Sequence, residues 1–332
     1  CPAVIYSLFN WSSDSQIGWG IPMATDTAFA LGVLALVRKH IPASLLAFIV
    51  GLAIVDDIGA ILVIALFYTQ NISVIFLLIS FSLIAFLAVS NYAGVRQPIF
   101  YIIVGVAIWW TMLQSGVHPT FAGVAIALTI PARPMLEPKK LLDQTKNKIN
   151  SMQNKEDRID VLGSREDHEK MLKIRDYAER ASTPLRRWED ALMLPVTLFV
   201  LPLFALVNAG VTFGVSSFIE SLQHTVGLGI VSGLVVGKLV GISGACWLGL
   251  RYNFGKLPDG INIHHIIGVS LIAGIGFTMS TFIATLGFDA QPVHLQSAKT
   301  SILFASVISA ILGLLYIRIV STRNKSKVPS NG

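Results

Sequence analysis

From Pro42 to Tyr68 the chain reads PASLLAFIVGLAIVDDIGAILVIALFY, and the only charges in that run are the neighbours Asp56 and Asp57. About 20 apolar residues in a helix cross the hydrocarbon core of a bilayer, and this run exceeds that. Asp56 is the fifteenth of its 27 residues, close to the midpoint. A carboxylate at that depth costs roughly 2.5–3.5 kcal/mol on insertion scales, and such residues line ion pathways or pair with one another. One alternative is a buried ion pair that only fixes helix packing. Asp56 and Asp57 together leave more negative than positive charge in the spans, which argues against it.

Working outward, eight more apolar runs qualify as spans: 17–37, 72–92, 98–113, 117–130, 191–207, 226–250, 264–288 and 300–320. The opening run 1–9 is half a span long, begins with Cys1 and has no positive charge ahead of it, as a secretory signal would. It reads as the end of a span, so one or more upstream helices are expected. Of the 332 residues 53% are hydrophobic and 13% charged, and the mean hydropathy is +0.67. A soluble domain carries roughly 25% charged residues. The expected fold class is therefore an all-α polytopic membrane protein, which excludes a soluble enzyme. No GxxxxGK[ST] phosphate loop is present, so ATP is not the expected driver. No cofactor is expected, and the two cysteines, Cys1 and Cys246, make neither a disulfide framework nor a metal-ligand spacing.

The placement of basic residues organises the chain. One set of alternate loops holds Arg38 and Lys39, Arg96, the long loop after Ile130, Arg251 and Lys256, and the tail with Arg318, Arg323, Lys325 and Lys327. The other set holds only Lys299, and Lys238 lies inside a span. The positive-inside rule puts the basic side, with the C-terminus, in the cytoplasm. The net charge of +6 thus reflects membrane topology and not nucleic-acid binding. The expected division is 1–130, membrane spans with an incomplete start; 131–189, a charged cytoplasmic loop; 190–320, C-terminal spans; and 321–332, a basic cytoplasmic tail. Within the loop, 165–180 has helix-like apolar spacing and reads either as an amphipathic surface helix or as a solvated linker.

Away from their ends, the spans contain four Asp, Glu, Lys or Arg residues: Asp26, Asp56, Asp57 and Lys238. Two adjacent carboxylates are hard oxygen ligands, suited to Na⁺, Li⁺, Ca²⁺ or protons, and no His or Cys cluster suggests a transition metal. Neighbours on a helix point about 100° apart, so one carboxylate can face a cavity while the other turns toward a neighbouring helix or the same cavity edge. Desolvation and mutual repulsion oppose the effect of a nearby Lys238 ammonium, and the pair titrates as one coupled system. Two spans carry helix-breaking signatures, Gly18-Trp-Gly-Ile-Pro22 just before Thr25 and Asp26, and Gly274-Ile-Gly276-Phe-Thr278. Interrupted helices at membrane depth occur where backbone lines a cavity, and Asp26 or Lys238 could offset the partial charges of their ends. Ordinary small-residue packing is the alternative for either segment taken singly.

These segments resemble the NhaA-type Na⁺/H⁺ antiporter family. The resemblance is carried by residues 18–32 (GWGIPMATDTAFALG), 52–61 (LAIVDDIGAI), 115–123 (SGVHPTFAG), 201–210 (LPLFALVNAG), 237–241 (GKLVG) and 274–280 (GIGFTMS). It implies a twelve-helix inverted-repeat fold with two discontinuous crossing helices, of which this chain would retain the last nine and part of the third. It also implies that Asp56 and Asp57 bind Na⁺ or protons, and that Lys238 pairs with Asp56 in the absence of cation. Thr25 and Asp26 would sit at the crossing, and His118 and Glu189 match positions linked to pH response. For His118 an ordinary helix-start role is the alternative, and for Glu189 a favourable charge at a helix N-terminus.

The expected function is exchange of Na⁺ or Li⁺ for H⁺ across a bacterial inner membrane, for pH and sodium homeostasis. The expected partners are these ions and membrane lipid, with a homodimer left open. The runner-up is a Na⁺-coupled symporter of an organic anion on a related fold, which needs more polar groups in the spans than this sequence supplies.

Overall fold

The computed structural model describes residues 1–38, 41–69, 72–132, 169, 172, 183–208, 215–258 and 260–325. The described residues are helical, without a strand. The amphipathic segment 165–180, apart from Glu169 and Leu172, and the tail beyond 325 lie outside them.

Every expected span overlaps helix, though not all of them along their full length. Five helices are long and apolar enough to cross a membrane: Ala43–Phe67, Val74–Tyr92, Pro184–Val207, Thr225–Arg251 and Pro292–Val320. Two bent pairs occupy the positions of the predicted discontinuities, Asp14–Met23 with Thr27–Ala35 at 42°, and Ile263–Ile272 with Phe277–Gly287 at 49°. Pro98–Gln114 and Thr120–Thr129 are shorter apolar helices. Large apolar side chains such as Leu66, Leu78 and Ile103 are exposed. Such a surface suits lipid and would be a liability in water.

Two helices begin earlier than hydropathy predicts, each with a proline as its first residue. The helix expected from 191 begins at Pro184, where Thr183 Oγ1 accepts from Arg186 N–H at 3.2 Å and Pro184 occupies the first turn. Residues 184–189, read from sequence as the end of the charged loop, are thus helical, and Glu189 stands in the second turn. The first turn carries no acidic residue, so the helix-terminus reading of Glu189 does not hold. The last helix begins at Pro292 and not at 300, and continues to Lys325.

The chain divides into two units. The first comprises the described parts of Cys1–Tyr68 and Leu203–Gly332. One of its cores joins Tyr6, Ile21, Ile64, Ile230, Leu234, Phe288 and Ile302. A second core joins Leu34, Leu45, Ile49, Ile266, Ile272 and Ile317. The other unit, Thr69–Pro202, packs Val74–Tyr92, Pro98–Gln114 and Thr120–Thr129 through Leu87, Tyr101, Ile108, Met112 and Ala122, with Trp188 against them.

Inside a bilayer apolar burial gives helices little preference for one another over lipid, so close packing and hydrogen bonds hold them together. Gly274 and Gly276 show how close the packing is. A Cβ on Gly274 would meet the Leu234 carbonyl oxygen at 2.6 Å, and one on Gly276 the Ala24 carbonyl oxygen at 3.1 Å. The glycines of the second break are what allow it to touch both the first break and the helix bearing Lys238.

Candidate functional site

We label six helices of the first unit: α1, Pro2–Phe9; α2, Thr27–Ala35; α3, Ala43–Phe67; α4, Lys238–Arg251; α5, Ile263–Ile272; and α6, Phe277–Gly287. Ahead of α2 a 3-10 segment, Asp14–Met23, contains Gly18, Gly20 and Pro22. Pro22 removes an N–H donor and its ring blocks regular α-helix, which favours a short tighter coil and then a break. The break is extended: Ala24 has φ −76° and ψ 141°, and Asp26 has φ −84° and ψ 96°.

The two breaks meet. Asp26 N–H donates to the Ile275 carbonyl at 2.6 Å, and Thr25 Oγ1 lies 3.0 Å from the Ala273 carbonyl. Asp26, 2% exposed, ties them with its side chain as well. Its Oδ1 accepts from Phe29 N–H at 3.1 Å, in the first turn of α2. Its Oδ2 accepts from Thr278 N–H at 2.8 Å and Thr278 Oγ1 at 2.6 Å, in the first turn of α6. One carboxylate therefore caps two half-helices whose N-terminal ends carry partial positive charge.

The paired aspartates stand on α3 beside the first break. Thr25 Oγ1 donates to Asp56 Oδ2 at 2.6 Å, and Thr27 Oγ1 donates to Asp57 Oδ2 at 3.0 Å. Lys238, the first residue of α4, is 3% exposed. Its ammonium makes a close ion pair with Asp56 Oδ2 and donates to Thr25 Oγ1 at 3.0 Å. A π turn, Gly233–Gly237, precedes it. Such a turn inserts a residue into the helical ladder and re-aims the side chains beyond it, a device common at functional sites. Asp57 Oδ1 is buried and has no hydrogen-bond partner among the described residues. Asp56 is 28% exposed through its side chain. With Lys238, Met23 and Ile242 it lines a cavity of about 220 Å³.

The structure thus gathers Thr25, Asp26, Asp56, Asp57 and Lys238 at one place. His118 and Glu189 lie in the other unit. His118 Nδ1 is 2.9 Å from Thr120 Oγ1 and accepts from Thr120 N–H at 3.3 Å. Glu189 is exposed. Sequence reasoning assigned no role to Thr27 or Thr278. Thr278 stood in the second breaking motif, and its neighbourhood to Asp26 was the missing piece.

Two broken helices thus cross at a buried carboxylate, beside an aspartate pair and a buried lysine. Comparison with known families matches residues 1–317 to the family described as Na⁺/H⁺ antiporter 1. The chain belongs to that family. A relative in Psychromonas ingrahamii, "Na(+)/H(+) antiporter NhaA 2", is 76% identical over 324 residues, covering 97% of this chain and 68% of the relative. "Na(+)/H(+) antiporter NhaA 1" of Shewanella denitrificans is 71% identical over 97% of this chain and 72% of its own length. A more distant relative, from Saccharophagus degradans and also named "Na(+)/H(+) antiporter NhaA 1", is 41% identical over 95% of the chain. The organic-anion symporter gains no support from this family or these relatives.

The Lys238–Asp56 pair has a direct test. Lys238→Ala leaves Asp56 without its cationic partner, and Asp56→Asn strands a buried ammonium. Each single change is expected to lower thermal stability, and the double change to cost less than their sum, with a coupling on the order of 1–3 kcal/mol. A thermal-unfolding double-mutant cycle in detergent measures it, and additive effects would mean the contact contributes nothing.

Proposed function

We propose that Asp56 and Asp57 are the shared binding site for Na⁺ and protons, supported by Thr25, Asp26 and Lys238. The protein is a multi-pass membrane antiporter that exchanges Na⁺ for H⁺, and it is not an enzyme. The observation that carries the site assignment is Asp57 Oδ1, buried and without a partner among the described residues, beside Asp56. A buried charged oxygen without a partner is costly, and a hard cation or a proton removes that cost. Asp56 holds Lys238 when no cation is bound. Na⁺ arriving at the carboxylates competes with that ammonium and with protons, which couples the two fluxes. Movement is favoured where the backbone is already broken, and the crossing held by Asp26 places two such breaks next to the site.

Li⁺ is a second substrate ion in this reading, since it needs the same hard oxygen ligands. The two broken pairs are the related elements of an inverted repeat, a reading supported by their shared form, each a helix pair bent at a short break. The segregation of basic residues supports placement in a bacterial inner membrane with the C-terminus in the cytoplasm. Exposed apolar helix faces suit lipid or a second copy in a homodimer. His118 and Glu189 are carried as pH-response positions by the resemblance. Protonating His118 Nδ1 would break its acceptance of Thr120 N–H at a helix start.

Shared carboxylates make the two ions competitors. In everted membrane vesicles with a pH-sensitive dye, the apparent KM for Na⁺ is expected to rise as pH falls, approaching about tenfold per pH unit for one competing proton. A KM that stays constant between about pH 6 and about pH 9 would mean separate sites.

A further inference from the structure

We infer that Thr27 is a positioning residue for cation binding, holding Asp57 Oδ2 so that Oδ1 is the oxygen left to ligate the ion. This rests on the assignment of Asp57 to the site.

The backbone sets the geometry. In an extended segment alternate side chains lie on the same side. The break around Asp26 is extended, so Thr25 and Thr27 both reach α3 while Asp26 between them reaches the second break. Each hydroxyl meets one aspartate: Thr25 donates to Asp56 at 2.6 Å, and Thr27 to Asp57 at 3.0 Å. The two contacts differ in what else they serve. Thr25 also accepts from Lys238 and lies near the Ala273 carbonyl, so it belongs to the crossing. Thr27 is the first residue of α2, and its hydroxyl serves Asp57. A carboxylate pinned at one oxygen has fewer orientations to lose when the other binds an ion, and such preorganisation raises affinity. The hydroxyl also donates to the charged form of Asp57, the form that Na⁺ requires.

Thr27→Val keeps the branched shape and removes the donor, and Thr27→Ser keeps the donor and removes the methyl group. In proteoliposomes Thr27→Val is expected to raise the apparent KM for Na⁺ about tenfold, the scale of one lost hydrogen bond to a charged group. The turnover rate should stay within roughly twofold, since a binding interaction and not the transport step is lost. The pH–activity profile should move to higher pH, and Thr27→Ser should restore both readouts. Thermal stability of all variants is followed in parallel. If Thr27→Val keeps the wild-type KM while Asp57→Asn abolishes Na⁺ binding, the Thr27 role is wrong and the Asp57 site stands. If Thr27→Ser behaves like Thr27→Val, or if stability and turnover fall with KM unchanged, Thr27 is merely structural and the inference fails. If Asp57→Asn still binds Na⁺ normally, the site assignment beneath it fails.

Discussion

Asp57→Asn is expected to abolish Na⁺ binding together with the proton release that accompanies it. The substitution nearly preserves volume and keeps an oxygen that can accept from Thr27, so the helix break and the Asp26 caps stay in place. What it removes is a formal negative charge. A unit charge at about 4 Å and an effective dielectric of about 20 is worth about 4 kcal/mol, on the order of a thousandfold in affinity. Calorimetric titration of the purified protein with Na⁺, in buffers of different ionisation enthalpy, reports both quantities at once. The wild-type chain should release protons as Na⁺ binds, by the reciprocity of linked equilibria. Asp57→Asn should show neither heat of binding nor release. Asp56→Asn should be impaired differently, because Asp56 also carries the Lys238 ion pair. A wild-type titration without proton release would exclude a shared carboxylate site.

The spans were legible in the sequence because membrane helices announce themselves by length and apolarity, and the breaks because glycine and proline punctuate them. The paired aspartates and Lys238 were legible for a different reason: charge at mid-span is expensive enough to be informative without any structure. Two kinds of fact escaped. Helix starts at Pro184 and Pro292 were missed because they lie outside the apolar stretch that hydropathy detects, at prolines suited to a first helical turn. The partners of the buried polar groups were missed because they are remote in sequence. Asp26 and Thr278 are separated by 252 positions, and Thr27 looks like any residue opening a helix until Asp57 is found against it. His118 and Glu189 lie in the other unit, and their part in pH response rests on resemblance alone.

Asp26→Ala is expected to have the largest effect on the architecture of the site. Its carboxylate accepts from Phe29 N–H and from the N–H and hydroxyl of Thr278. Removing it leaves the first turns of α2 and α6 uncapped in a dry interior, and deletes the negative charge that faces two positive helix ends. A lost cap costs about 0.5–2 kcal/mol. Two of them, deprived of water as a substitute partner, set a loss of about 3 kcal/mol as the expected scale. Transport should fail as well, because Thr25 and Thr27 are positioned by the same short segment. Asp26→Asn separates the contributions. Its amide oxygen still accepts a hydrogen bond, so it should retain more stability than the alanine variant, while the missing charge still weakens the crossing. Thermal unfolding of both variants in one detergent, with Na⁺ exchange assayed in parallel, checks the ordering wild type, Asn, Ala. An alanine variant as stable as wild type would show that the backbone contact between Asp26 and Ile275 holds the breaks together without the carboxylate.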